Sequence, residues 1–111
     1  MLIIFLKDLK MKRVLFAALA AVCLSHSAFA DEKLAGTKNC LACHSVNTQV
    51  VGPAFKDVAK KYADDKSAVN TLAAKVRAGG GGVWGAIPMP ANPQVSEAEA
   101  KKLVTWVLSL K

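Results

Sequence analysis

Apolar residues recur at helical spacing in three stretches of this chain, separated by polar or glycine- and proline-rich segments. Phe55, Val58, Ala59 and Tyr62 fall at i, i+3, i+4 and i+7, one face of a helix from Pro53 to about Ala63. Pro53 suits the first helical position, where the missing N–H costs nothing. Val69, Leu72, Ala73 and Val76 repeat the spacing and predict a helix from about Ser67 to Ala78, ended by Gly79. Leu103, Trp106, Val107 and Leu110 give the face of another, from Glu97 to about Leu110. Ser96 and Glu99 stand three apart before it, as in a capping box. A weaker helical pattern, with Gly36 inside it, covers Asp31 to Asn39. No segment alternates as a strand does, and no repeat is present. The fold class is therefore all-α.

Between the last two helices lies GGGGVWGAIPMPANPQV, Gly79 to Val95. Such a length is unusual in a small domain unless the loop is functional or disordered. An aromatic residue and a Pro-Met-Pro are not the composition of a disordered tail. The glycine run is no phosphate loop either, since no strand precedes it and no Gly-Lys-Ser/Thr follows. A tight turn is reason enough for it.

The amino-terminal third has a different pattern. Lys12 and Arg13 precede an apolar run, Val14 to Leu24, and Ala28-Phe29-Ala30 offers the small residues that a signal peptidase cleaves after. The run is too short to span a bilayer comfortably. Residues 1–30 are thus expected to be a secretory signal, with Met11 as the true start, and 31–111 the mature domain. Cys23 reads as one more apolar residue of that signal.

Removal of the signal changes the chemistry available. The 111-residue chain holds three cysteines, two histidines and three methionines. Cys23, His26, Met1 and Met11 leave with the signal, and Cys40, Cys43, His44 and Met89 remain. The formal charge of +7 falls as Lys7, Lys10, Lys12 and Arg13 go, against only Asp8 among the acids. The remainder is mildly basic and dispersed, which argues against nucleic acid and for transient docking on an acidic partner. Export points to an oxidising compartment, and a domain this small usually needs a staple or a cofactor.

NCLACHSV, residues 39–46, supplies a candidate. Structural zinc takes four protein ligands, and the mature chain lacks a second pair. A thioredoxin-like pair belongs beside a βαβ unit, and there is none. Spacing alone permits a plain disulfide, but that gives His44 no purpose. Covalent haem accounts for all three residues: Cys40 and Cys43 as thioethers to the vinyl groups, and His44 beneath the iron. A bulky apolar group also gives the helical faces something to bury against. The chain without haem is accordingly expected to be unfolded or molten.

Iron bound by His44 has a second axial position. Met89 stands between Pro88 and Pro90, which hold the segment extended and lower the entropy cost of presenting its sulfur. A methionine used as core filler would normally sit on a helix face. Met89 is therefore the expected sixth ligand; thioether ligation raises the reduction potential.

CLACH, VGPAFKDVA and GGVWGAIPMPAN together resemble the small bacterial class I cytochromes c of the cytochrome c-551 group, in the family's order and spacing over nearly all of Asp31 to Lys111. The resemblance implies four or five helices around one haem c. It implies a monomeric periplasmic electron carrier whose partners include a cytochrome bc complex, nitrite reductases and terminal oxidases or peroxidases. It also implies further roles. The Pro53 carbonyl would accept from the proximal histidine, the Asn92 amide would bond the ligating sulfur, and the Trp84 indole would donate to a haem propionate. Lys75 stands where relatives often carry a propionate-binding arginine, and Arg77 would point elsewhere. Trp106 reads as packing, and Lys56, Lys60 and Lys61 as a mostly solvated face able to steer an acidic partner.

Two other functions compete. A haem enzyme or gas-binding haem protein needs an open or displaceable sixth position and usually a distal acid or base, for which no second histidine remains. A copper carrier using Cys40, Cys43, His44 and Met89 suits the donor set, but gives no reason for Met89 to lie so far along the chain between prolines.

Overall fold

The computed structural model describes Asp31–Lys111; the expected signal segment lies outside the described residues. Helix α1 covers 31–37 and gives way to a turn. There Asn39 adopts a left-handed backbone (φ 63°) and admits a 3₁₀ turn, Cys40–Ala42. Three further helices follow: α2, Phe55–Lys61; α3, Ala68–Ala78; and α4, Glu97–Ser109.

The helix starts show how sequence became structure. Ser96 caps α4, its Oγ accepting from Glu99 N at 3.1 Å. The Glu99 carboxylate is drawn to Lys38 at 2.9 Å, which joins the end of α1 to the start of α4. Ahead of α3, Asp65 Oδ1 accepts from the Ser67 backbone N–H at 2.9 Å and its hydroxyl at 2.7 Å. One expectation is corrected: α2 does not start at Pro53. Its first residue is Phe55, with Ala54 as N-cap. The first-turn amides of Phe55 and Lys56 bond Ser45 O and Val46 O. Those bonds tie α2 to the segment after the cysteine motif and leave Pro53 extended ahead of the helix.

Helix α4 packs against both α2 and α3. Leu103, Val104, Trp106 and Val107 of α4 join Phe55, Ala73, Val95 and Ala35 in the core. Trp106 meets Phe55 edge to face at 5.5 Å between ring centroids, a favoured aromatic geometry. The core is thin: among the described residues Phe55, Leu103 and Trp106 are the only buried side chains larger than valine. Val51, Val83, Trp84 and Ile87 remain exposed instead, Ile87 to 70%. Among the described residues no helix is long and apolar enough to cross a membrane.

Candidate haem site

The thin core and the exposed apolar side chains belong to one feature. A cleft of about 390 Å³ opens beside α4, with Cys40, Cys43, His44, Pro53, Lys75, Trp84 and Met89 in its wall. Leu72, Val76, Leu103, Val104 and Val107 are among its apolar lining, as are Val51 and Ile87.

The cysteine motif reaches the cleft through local backbone bonds. Cys43 N and His44 N both donate to Cys40 O, at 3.2 and 3.0 Å, so both thiols and the imidazole come off one tight turn. Cys40 and Cys43 are not joined to each other as a disulfide. Burial pushes the Cys40 thiol above its ordinary value, against a backbone hydrogen bond that lowers it. Among the described residues no three His, Cys, Asp or Glu side chains gather as a metal-ion site.

His44 is held on several sides. Its Nδ1 lies 2.8 Å from Pro53 O. A carbonyl only accepts, so Nδ1 carries a proton, and in the neutral ring the lone pair is on Nε2. The ring stacks on Phe55 at 5.0 Å between centroids and 19° between planes. A further residue holds this ring, and it escaped sequence reasoning. A β-carbon on Gly52 would stand 2.8 Å from His44 Nδ1, so only glycine lets the chain pass so near. Gly52 N also donates to Cys43 O at 2.7 Å. The adjacent Val-Gly-Pro was the available signal: a glycine ahead of a residue whose carbonyl serves the histidine.

Met89 arrives from the opposite end of the chain. Gly80 and Met89 form an isolated antiparallel bridge, Gly80 N to Met89 O at 3.0 Å and Met89 N to Gly80 O at 2.8 Å. The bridge closes a loop over 81–88 and fixes Met89, half-buried, at its neck. Gly79 lets the neck close. Its φ is 73°, and a β-carbon there would come within 2.6 Å of Met89 O and 2.7 Å of Ala91 N.

Asn92 is bonded to the end of α3 and to the Met89 loop. Its Nδ2 donates to Val76 O at 3.0 Å and Pro90 O at 3.1 Å, and its backbone N donates to Arg77 O at 3.1 Å. The amide thus satisfies carbonyls at the end of α3, which an α-helix leaves without partners. The expected hydrogen bond to the Met89 sulfur is not among those of the described residues. Lys75, half-buried, lines the cleft. Arg77 turns away and donates from Nε to Val95 O at 3.1 Å. Trp84 lines the cleft with 41% of its surface exposed, and the Lys61 ammonium lies 5.5 Å from its ring centroid.

An apolar slot with two thiols on one turn, an imidazole of fixed tautomer and a thioether fits a porphyrin joined through its vinyl groups. Comparison with known proteins agrees. The family model described as cytochrome c matches residues 32–111. Cytochrome c-552 of Nitrosomonas europaea is 54% identical over 96 residues, covering 86% of this chain and 92% of that protein. Cytochrome c-551 of Allochromatium vinosum is 52% identical over 93 residues, covering 84% and 99%. The crystal structure of wild-type Nitrosomonas europaea cytochrome c552 matches with a TM-score of 0.71 and 56% identity, over 72% of this chain and 99% of that one. With Cys40, Cys43 and His44 fitting the attachment motif, the chain belongs to the cytochrome c family in its class I form and carries one covalent haem c.

Proposed function

We propose that this protein is a periplasmic carrier of single electrons, its iron held axially by His44 and Met89. The haem supplies one-electron chemistry at iron, and the chain supplies everything that makes that chemistry quick and selective. Cys40 and Cys43 would hold the macrocycle through thioethers. The bond from His44 Nδ1 to Pro53 O keeps Nε2 available and strengthens its donation. The observation that carries the reading is the Gly80–Met89 bridge: a purely backbone device sets Met89 in the lining of the cleft that also holds His44. With both axial positions filled by protein, no ligand is exchanged when the charge changes, which suits a shuttle rather than an enzyme.

Around this centre Leu72, Val76, Leu103, Val104 and Val107 exclude water. Lys75 and Trp84 stand in the cleft wall as candidates for the propionates. Lysine offers a point charge where arginine would offer a planar fork. Lys60 and Lys61 are exposed on α2 and Lys56 is half-buried there. These cations are suited to steer an acidic redox partner, such as a cytochrome bc complex, a nitrite reductase, or a terminal oxidase or peroxidase. The sequence pattern of residues 1–30 supports export, and cleavage after Ala30 would release the domain as a monomer free of the membrane.

Absorption spectra of the purified holoprotein test the reading. The ferric form should show the weak long-wavelength band of iron–thioether bonding, and the ferrous form should not bind carbon monoxide at neutral pH. Rapid carbon monoxide binding would instead favour a haem enzyme or gas-binding protein with a displaceable sixth ligand.

A further inference from the structure

The Gly80–Met89 bridge fixes only the neck of the loop. Residues 81–88 are all exposed, and Gly82 and Gly85 have positive φ and nothing within 4 Å of where a β-carbon would lie. The backbone around Trp84 therefore does little to hold its own tip over the cleft. A contact from another element does so. Lys61 is the last residue of α2, and its ammonium sits 5.5 Å from the Trp84 ring centroid, within the roughly 6 Å reach of a cation–π attraction. Helix α2 is itself rooted beside His44, through Pro53 O and the Phe55 and Lys56 amides. A lysine in the last turn also suits the helix dipole.

We infer that Lys61 is a positioning residue for the Met89 loop. Its contact with Trp84 straps the loop tip to α2 and closes a continuous path from His44 through Pro53, α2, Lys61 and Trp84 to Met89. The strap sets how often the loop opens. Its consequence for the iron, slower displacement of the sixth ligand, rests on Met89 being that ligand as proposed above; the closure itself does not. Lys61 read from the sequence alone was one of several cations on a solvated face, and the contact with Trp84 gives it a separate task from Lys56 and Lys60.

Amide hydrogen exchange on the folded holoprotein tests the strap, because Gly80 N–H and Met89 N–H are bonded only while the neck is shut. Lys61→Met keeps the apolar stem and removes the charge. It should quicken exchange at these two amides about two- to fivefold, the factor equivalent to about 0.5–1 kcal/mol of cation–π attraction at an exposed site. Exchange at Val104 and Val107 in α4 should not change. Lys61→Arg should restore slow exchange, and in a Trp84→Leu background Lys61→Met should have no further effect. Unchanged exchange in Lys61→Met, or an acceleration that persists without Trp84, overturns the inference. Uptake of imidazole by the ferric form separates the two claims. Its rate should rise by the same factor in Lys61→Met. Quickened amide exchange with an unchanged imidazole rate would leave the strap standing and count against Met89 as ligand.

Discussion

Gly52 lies against the imidazole of His44 so closely that a β-carbon there would stand 2.8 Å from Nδ1. That nitrogen is the one that bonds Pro53 O, so the glycine and the proline next to it hold one ring from neighbouring backbone positions. Gly52→Ala should force the ring to shift and destabilise the holoprotein by about 1–3 kcal/mol, the usual cost of overpacking a tight site. Chemical denaturation of the two proteins measures it. A variant as stable as the parent would mean that the contact is slack.

Asn92 offers a choice between two roles. As the structure has it, the amide serves Val76 O and Pro90 O. Asn92→Ala should then cost about 1–2 kcal/mol of stability through the carbonyls left without partners, with the iron–thioether band unchanged in position. A shift of that band or of the reduction potential, without loss of stability, would favour the sulfur-bonding role that the family resemblance implies.

The join between α1 and α4 should weaken in acid. Glu99 is held below its ordinary value of 4.5, first by the hydrogen bond from Lys38 and then by Ser96. A carboxylate whose folded pKa is depressed contributes stability that is present above its unfolded value and is lost as pH falls through the folded one. Stability should therefore be flat above about pH 5 and decline below the ordinary glutamate value. Because solvent still reaches the half-buried pair, the change is small. Glu99→Gln should flatten the part of the decline that Glu99 causes. Identical acid profiles of variant and parent, followed by thermal melting, would remove Glu99 from the account.

Which parts of this molecule the sequence disclosed follows from how far each contact reaches along the chain. The faces of α2, α3 and α4 were legible because helical spacing is local: Leu103, Trp106 and Val107 announce themselves within two turns. The Cys40–Cys43–His44 turn was legible for the same reason. Pro53 was misplaced in α2 because proline at a helix start is only a general preference; its carbonyl contact with His44, nine residues earlier, was foreseen through the family resemblance alone. The Gly52–His44 approach, the Gly80–Met89 bridge and the Lys61–Trp84 contact were not legible, since each pairs residues whose types predict nothing about one another. The 3₁₀ turn at Cys40–Ala42 depends on a left-handed Asn39, a conformation that asparagine tolerates but does not require.

The thin core makes a prediction about the polypeptide alone. With Phe55, Leu103 and Trp106 the only buried side chains larger than valine among the described residues, the helices have too little to pack against without the haem. A Cys40→Ala, Cys43→Ala chain produced without haem should give reduced far-ultraviolet helicity, bind a hydrophobic dye and melt without a cooperative transition. A sharp, native-like melt would show that the helices hold one another unaided.

The most direct test of the central claim, a haem iron gripped by His44 on one side and Met89 on the other, is the proton nuclear magnetic resonance spectrum of the reduced holoprotein. A methionine methyl group held against the porphyrin face must be moved far upfield by the ring current. The account predicts one such methyl resonance, absent in Met89→Ala. A Met89 methyl at its ordinary position in the intact protein would contradict it.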